Sequence, residues 1–282
     1  MNRLPRQLPR RHRFSGQSFN RMLPNLMTLL GLCIGLSSIR LALDDKFGSA
    51  VIAIAVSGVI DGLDGRLARL LKATSRFGAE FDSLADFLCF GIAPAIVIYV
   101  WSLQPWGAIG FLPPLIYASA MALRLARFNA ALDSAPKAAF AYNFFTGVPA
   151  PAGAGLALFP LFLGLEADQL HFYWISDAAS FPLFTGAVLV IVALLCVSTL
   201  PVWSFKNFKI PAASILPLLL GVVVFAAIIF ADPYAAGALL GLTYMIMLPF
   251  SLRSYRRLAA EAEARRTTIQ PVEVDLTPPP GP

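Results

Sequence analysis

Apolar blocks long enough to cross a bilayer, at about 20 residues each, stand at residues 24–43, 47–65, 83–104, 107–127, 146–165, 181–200, 211–231 and 234–252, and short polar connections separate them. The pattern predicts an all-α, polytopic membrane helix bundle of about eight transmembrane helices. Composition supports the same reading. Hydrophobic residues make up 57% of the 282 positions and charged residues 13%, against about a quarter charged in soluble domains. The mean hydropathy is +0.70.

Charge then orients the bundle. Of 22 basic residues, 20 fall in segments that an eight-span arrangement places on one side: the run from Arg3 to Arg21, then Arg66, Arg69, Lys72 and Arg76, then Arg124, Arg127 and Lys137, then Lys206 and Lys209, and lastly Arg253 to Arg266. The opposite connections carry Asp44, Asp45, Glu166, Asp168, Asp177 and Asp232. The positive-inside rule therefore puts both termini in the cytoplasm. The formal charge of +6 is a topology signal and an attraction to anionic membrane lipids, and it calls for no nucleic acid. Three regions follow: a basic cytoplasmic arm over 1–20, a transmembrane domain over 21–258 and a Pro-rich cytoplasmic tail over 259–282. The arm does not read as a cleavable signal, because its first apolar run begins only near Met22. Cys33, Cys89 and Cys196 lie within predicted spans at unrelated spacings, which reads as packing rather than a disulfide or zinc framework.

Four aspartates interrupt the apolar pattern: Asp61, Asp64, Asp82 and Asp86. Each costs about 2.5–3.5 kcal/mol at a membrane-helix centre, so together they carry a penalty on the order of 10 kcal/mol. On α-helices, Asp61 and Asp64 share one face, as do Asp82 and Asp86. Two such helices face to face would present four carboxylates to one space, the oxygen-rich setting that Mg²⁺ or Mn²⁺ prefers and that two cations can turn into a clamp for phosphoryl chemistry. Gly65, Ala68 and Gly78 keep nearby helix surfaces low, and Arg69 can take a phosphate bidentately. A structural hydrogen-bonded pair, or an ion or proton site in a transporter, explains one or two such residues, but four at this spacing favour an enzyme.

The run Asp64-Gly-x-x-Ala-Arg69, eight further residues, then Gly78-x-x-x-Asp82-x-x-x-Asp86, resembles the signature of the CDP-alcohol phosphatidyltransferase family at every position, with Asp61 leading it. Similarity extends to Pro24-Asn25-x-x-Thr28, to Leu123–Asn129 and to Phe145-Thr-Gly-Val-Pro-Ala-Pro-Ala152. The motifs cover about residues 22–155, and the stretch 61–95 looks most like the branch that uses serine. Phe87 follows the last aspartate where glycerol-phosphate-accepting relatives commonly carry Lys.

The resemblance implies transfer of the phosphatidyl group of CDP-diacylglycerol to the hydroxyl of L-serine, releasing CMP, in phospholipid biosynthesis. It implies that Asp61, Asp64, Asp82 and Asp86 hold two divalent cations, Mg²⁺ or Mn²⁺, and that Asp86 is also the catalytic base. Gly65, Ala68, Arg69 and Gly78 would line the nucleotide and diphosphate. Asn25, Thr28 and Ser75 are further candidates there; a polar helix cap competes for Asn25 and Thr28, and a plain charged loop for Ser75. Arg124, Arg127 and Lys137 could take the serine carboxylate, and topological anchoring explains the first two equally well. The expected setting is the bacterial cytoplasmic membrane, with the active site facing the cytoplasm. A homodimer is expected to be possible, with Gly153–Gly155 or Gly237–Gly241 as close-packing surfaces. The competing functions are transfer to another acceptor (glycerol 3-phosphate, inositol phosphate or choline) and, in another class, cation transport.

Overall fold

A computed structural model describes residues 19–131, 144–203 and 215–269. The first two helices, α1 (Phe19–Leu43) and α2 (Phe47–Leu70), form an antiparallel hairpin. Its turn is closed by Asp45 at φ 57°, with the Lys46 N–H donating to the Leu41 carbonyl at 2.8 Å and the Asp45 N–H to that of Ala42 at 3.1 Å. This left-handed helix stop usually takes glycine. Here the same closure recurs without glycine at Lys72 (φ 51°) and at His171 (φ 60°). Small residues let the hairpin close: a Cβ on Gly31 would lie 3.1 Å from the Ile60 side chain.

A long helical rod follows, from Arg76 to Gly110. It comprises α3 (Arg76–Asp86), a π-turn over Phe87–Ile92, α4 (Ala93–Ile98), a second π-turn over Tyr99–Leu103, a tight turn at Gln104–Trp106 and α5 (Gly107–Gly110). Pro94 has no N–H to give the Phe90 carbonyl, four residues earlier. The Tyr117 hydroxyl, from α6 (Leu112–Ala131), donates to that carbonyl instead at 2.7 Å. A loose turn is thus held in place immediately after Asp86.

The remaining helices are α7 (Ala150–Ala157) and α8 (Phe159–Gln169), α9 (Tyr173–Ser180) and α10 (Pro182–Val197), α11 (Ile215–Ala231) and α12 (Pro233–Ile269). The first pair bends by 44° and the second by 56°. Both breaks precede a proline-bearing helix start, at Pro160 and Pro182. The second break frees the Ser180 carbonyl, which accepts from the Ser102 hydroxyl at 2.7 Å. A broken helix at membrane depth survives only with such internal partners.

Helices stand at all eight places where the hydropathy pattern puts them. Four are long and apolar enough to cross a bilayer alone, or up to six if each bent pair is one span. The protein is an all-α integral membrane bundle with one small addition: β1 (Phe144–Thr146) pairs antiparallel with β2 (Pro201–Trp203). That ribbon occupies the predicted edges of two spans, because Pro149, Pro151 and Pro201 keep those segments from continuing as helix.

The buried core runs through Ala50, Val51, Val97, Tyr117, Met121, Leu161 and Leu189. Outward faces are apolar too, with Leu29, Leu30, Val59, Leu183 and Leu194 exposed, as lipid contact requires. The glycine pairs expected at a dimer surface pack inside the chain instead. A Cβ on Gly237 would meet the Phe162 ring, one on Gly241 the Phe159 ring at 2.8 Å, and one on Gly153 the Cys196 sulfur at 2.8 Å; only Gly155 faces open space. The basic arm before residue 19, the tail beyond 269, and Lys137, Lys206 and Lys209 lie outside the described residues.

Candidate active site

The spacing of the four aspartates becomes geometry where α1, α2 and α3 meet. Asp61 and Asp64 project from one face of α2, and Asp82 and Asp86 from one face of α3. One carboxylate oxygen from each of Asp61, Asp64 and Asp82 lies within 4.8 Å of the others. The Asp86 carboxyl lines the same cleft as those of Asp61 and Asp64. Asp64 is buried, and the other three are half-buried. Among the described residues the ion pairs are Arg40–Asp44 and Arg257–Glu261, so no basic side chain neutralises the four. Such a cluster in an apolar setting is costly unless a cation is bound, and an all-oxygen donor set suits a hard divalent ion. The residues therefore fit a metal centre.

Thr28 reaches this cluster from α1. Its hydroxyl is 2.7 Å from Asp64 Oδ2 and 3.1 Å from the Pro24 carbonyl. The helix-cap alternative for Asn25 and Thr28 fails, because α1 begins at Phe19 and carries Pro24 inside it. A narrow cleft of about 10 Å³ lined by Thr28, Gly31, Ser57, Asp61, Asp64 and Asp86 opens beside the carboxylates. It has room for about one water or ion; a nucleotide would have to lie along the open surface next to it.

Two motif glycines separate by role. Gly65 lies inside α2, and a Cβ there would meet nothing within 4 Å. Alanine would favour the helix by about 0.5–1 kcal/mol, so the fold gives no reason for glycine at this point. Gly78 differs, since a Cβ would lie 3.0 Å from Asn25 Oδ1 and 3.1 Å from Ser75 Oγ. Ser75 is the N-cap of α3, its hydroxyl accepting from the Gly78 N–H at 3.0 Å. Asn25 and Gly78 thus meet closely where α1 crosses α3, with Ser75 exposed beside them. Ala68 is half-buried, and Arg69 is exposed at the end of α2.

The expected serine cations divide as well. Arg127 Nη1 donates to the Val197 carbonyl at the end of α10, and Arg124 Nε donates to the Val148 carbonyl. Arg127 is exposed and committed to a helix end. Arg124 is half-buried and within electrostatic reach of Asp86. Asn129 Nδ2 donates to Ser83 Oγ at 3.0 Å, tying α6 to α3 between the two aspartates of the second pair. Phe90 is buried in the core.

Sequence reading missed Ser57 as a wall of the cleft, the π-turn after Asp86 and the supporting Tyr117. Pro94 was the available signal for the last two, since a proline four residues after Phe90 must leave a carbonyl needing a donor.

Comparison with known proteins agrees with this geometry. The family model described as CDP-alcohol phosphatidyltransferase matches residues 21–198. The chain is 39% identical over 246 residues to a Mycobacterium leprae protein named CDP-diacylglycerol--serine O-phosphatidyltransferase, covering 86% of this chain and 78% of that one. A Mycobacterium tuberculosis protein of the same name is 39% identical over 245 residues, covering 86% and 82%. One from Helicobacter pylori is 34% identical over 215 residues, covering 76% and 84%. With its four-aspartate signature assembled at one place and these relatives along most of its length, the chain belongs to the CDP-alcohol phosphatidyltransferase family.

Proposed function

We propose that this protein transfers the phosphatidyl group of CDP-diacylglycerol to the hydroxyl of L-serine, giving phosphatidylserine and CMP. The observation that carries the chemistry is the convergence of Asp61, Asp64, Asp82 and Asp86, none of them in an ion pair among the described residues. The relatives' shared name carries the acceptor.

Asp61, Asp64, Asp82 and Asp86 are the residues that would hold two divalent cations, Mg²⁺ or Mn²⁺. Bound there, such ions would neutralise the diphosphate and stabilise charge on the departing CMP. Asp86, at the edge of the cluster and followed by the π-turn, takes the proton from the serine hydroxyl as its oxygen attacks the phosphorus bonded to the lipid. Thr28 orients Asp64 through its hydrogen bond. The open face at Gly65 and Ala68 admits the diphosphate and cytidine, with Arg69 on phosphate. Asn25 and Gly78 meet where α1 crosses α3, and Ser75 caps α3 beside them. The acyl chains remain in the bilayer, and the site opens to the cytoplasmic side of the bacterial inner membrane, as the distribution of basic residues requires.

The test is CMP release by purified protein in liposomes containing CDP-diacylglycerol, with L-serine or glycerol 3-phosphate, in Mg²⁺, Mn²⁺ or chelator. Serine-dependent release that stops on chelation is expected. Release with glycerol 3-phosphate alone would move the acceptor, and metal-independent release would remove the cation assignment.

Thr28→Val supplies a second check. It keeps the volume but loses the 2.7 Å hydrogen bond to Asp64. Partners of metal ligands typically contribute 10–100-fold to affinity or activity. The Mg²⁺ concentration for half-maximal CMP release should rise about tenfold, with activity recovering at saturating metal. An unchanged metal requirement would show that Thr28 does not position a ligand.

A further inference from the structure

Two side chains, Arg124 and Tyr244, keep donors that have no acceptor among the described residues. Arg124 spends Nε on the Val148 carbonyl, and its two terminal nitrogens have no hydrogen-bond or ion-pair partner among the described residues. The Tyr244 hydroxyl, on α12, is buried with no hydrogen-bond partner among those residues. It lies within electrostatic reach of Arg124, which in turn lies within reach of Asp86. A buried unsatisfied hydroxyl costs about 1–3 kcal/mol, and a half-buried guanidinium without a counter-charge costs more.

The fold holds the two groups in this relation by separate ties. Arg124 is fixed to the chain just before α7. Ser251 Oγ donates to the Pro201 carbonyl at 2.8 Å, which anchors α12 to β2, and β2 pairs with β1 just ahead of Val148. Tyr117, seven residues before Arg124 and so on the same face of α6, is already committed to the Phe90 carbonyl. It is a wall, whereas Tyr244 has a proton to give.

We infer that Tyr244 and Arg124 together bind the carboxylate of the amino-acid acceptor, and that Tyr244 sets the preference for acceptors that carry one. The inference rests on the serine reading above. A guanidinium can donate end-on to a carboxylate through its two terminal nitrogens, and the phenol adds a neutral donor to the same group. The adjacent Asp86 then meets the hydroxyl of the same small molecule. A phosphorylated acceptor would call for a second cation, and Arg127 is committed to the Val197 carbonyl. Lys137 lies outside the described residues.

Tyr244→Phe in the full-length protein, in liposomes, tests this with two acceptors. L-serine has the carboxylate; serinol keeps the attacking hydroxyl and the ammonium but lacks it. With serine, kcat/KM should fall about tenfold, carried by KM. With serinol it should change less than about twofold, and the KM for CDP-diacylglycerol should stay put. Losing an unpartnered hydroxyl should leave the melting temperature unchanged or raised, so a folding defect is distinguishable. Equal losses with both acceptors, or no loss with serine, would overturn the role of Tyr244 while leaving the serine reading intact. Wild-type protein that releases no CMP with serine would overturn both.

Discussion

Asp86→Asn is expected to lower kcat for serine-dependent CMP release by about 10³-fold, the scale of a lost general base. Asparagine keeps the size of the side chain and one oxygen for a cation, but it cannot accept the serine proton. Asp86 shares its cleft with Asp61, which reaches it from the other helix. A role limited to holding metal would therefore appear as a weaker requirement, rescued at high Mg²⁺. The measurement is kcat against Mg²⁺ concentration for both proteins. A fall that persists at saturating metal supports the base assignment; activity within tenfold of wild type would transfer the proton to another acceptor.

Gly147→Val is expected to destabilise the fold by about 3 kcal/mol or more and to abolish activity with it. Gly147 has φ +76°, and a Cβ there would lie 2.7 Å from the Cys196 carbonyl oxygen and 2.8 Å from that of Ser198. Valine is excluded twice, by backbone conformation and by space. The residue also donates its N–H to the Leu200 carbonyl at 2.8 Å, next to the Val148 carbonyl that holds Arg124. The melting temperature should drop on the order of 10 °C. Gly65→Ala makes the contrast, since open space in a helix predicts an unchanged or higher melting temperature but reduced CMP release. A stable Gly147→Val protein would mean that the α7 entry can rearrange.

The aspartate cluster was legible because helical spacing alone places Asp61 with Asp64 and Asp82 with Asp86, and membrane insertion makes four buried acids too costly to be incidental. Gly78 and Ser75 were harder. A plain charged loop competed with a ligand surface for Ser75, and only the structure shows that Ser75 caps α3 and that Asn25 approaches Gly78. The dimer-forming glycines misled for a related reason, since a small residue signals close approach but not the partner. Gly237 and Gly241 take Phe162 and Phe159 of the same chain. Helix stops at Asp45, Lys72 and His171 carried no glycine and gave no warning.

The sequence by itself determined an all-α membrane bundle, the positions of its helices and the identity of its four acids, because hydropathy and 3.6-residue periodicity are local properties. Tertiary structure decided what those elements do to one another. It gave Thr28 to Asp64 and Tyr117 to Phe90, and it bent two helix pairs at Pro160 and Pro182. It also committed Arg127 to a backbone carbonyl, and it brought the Tyr244 hydroxyl, unpartnered among the described residues, within electrostatic reach of Arg124. The physical reason is that a hydrogen bond between residues 28 and 64, or electrostatic reach between 124 and 244, depends on how helices cross, which no single segment encodes.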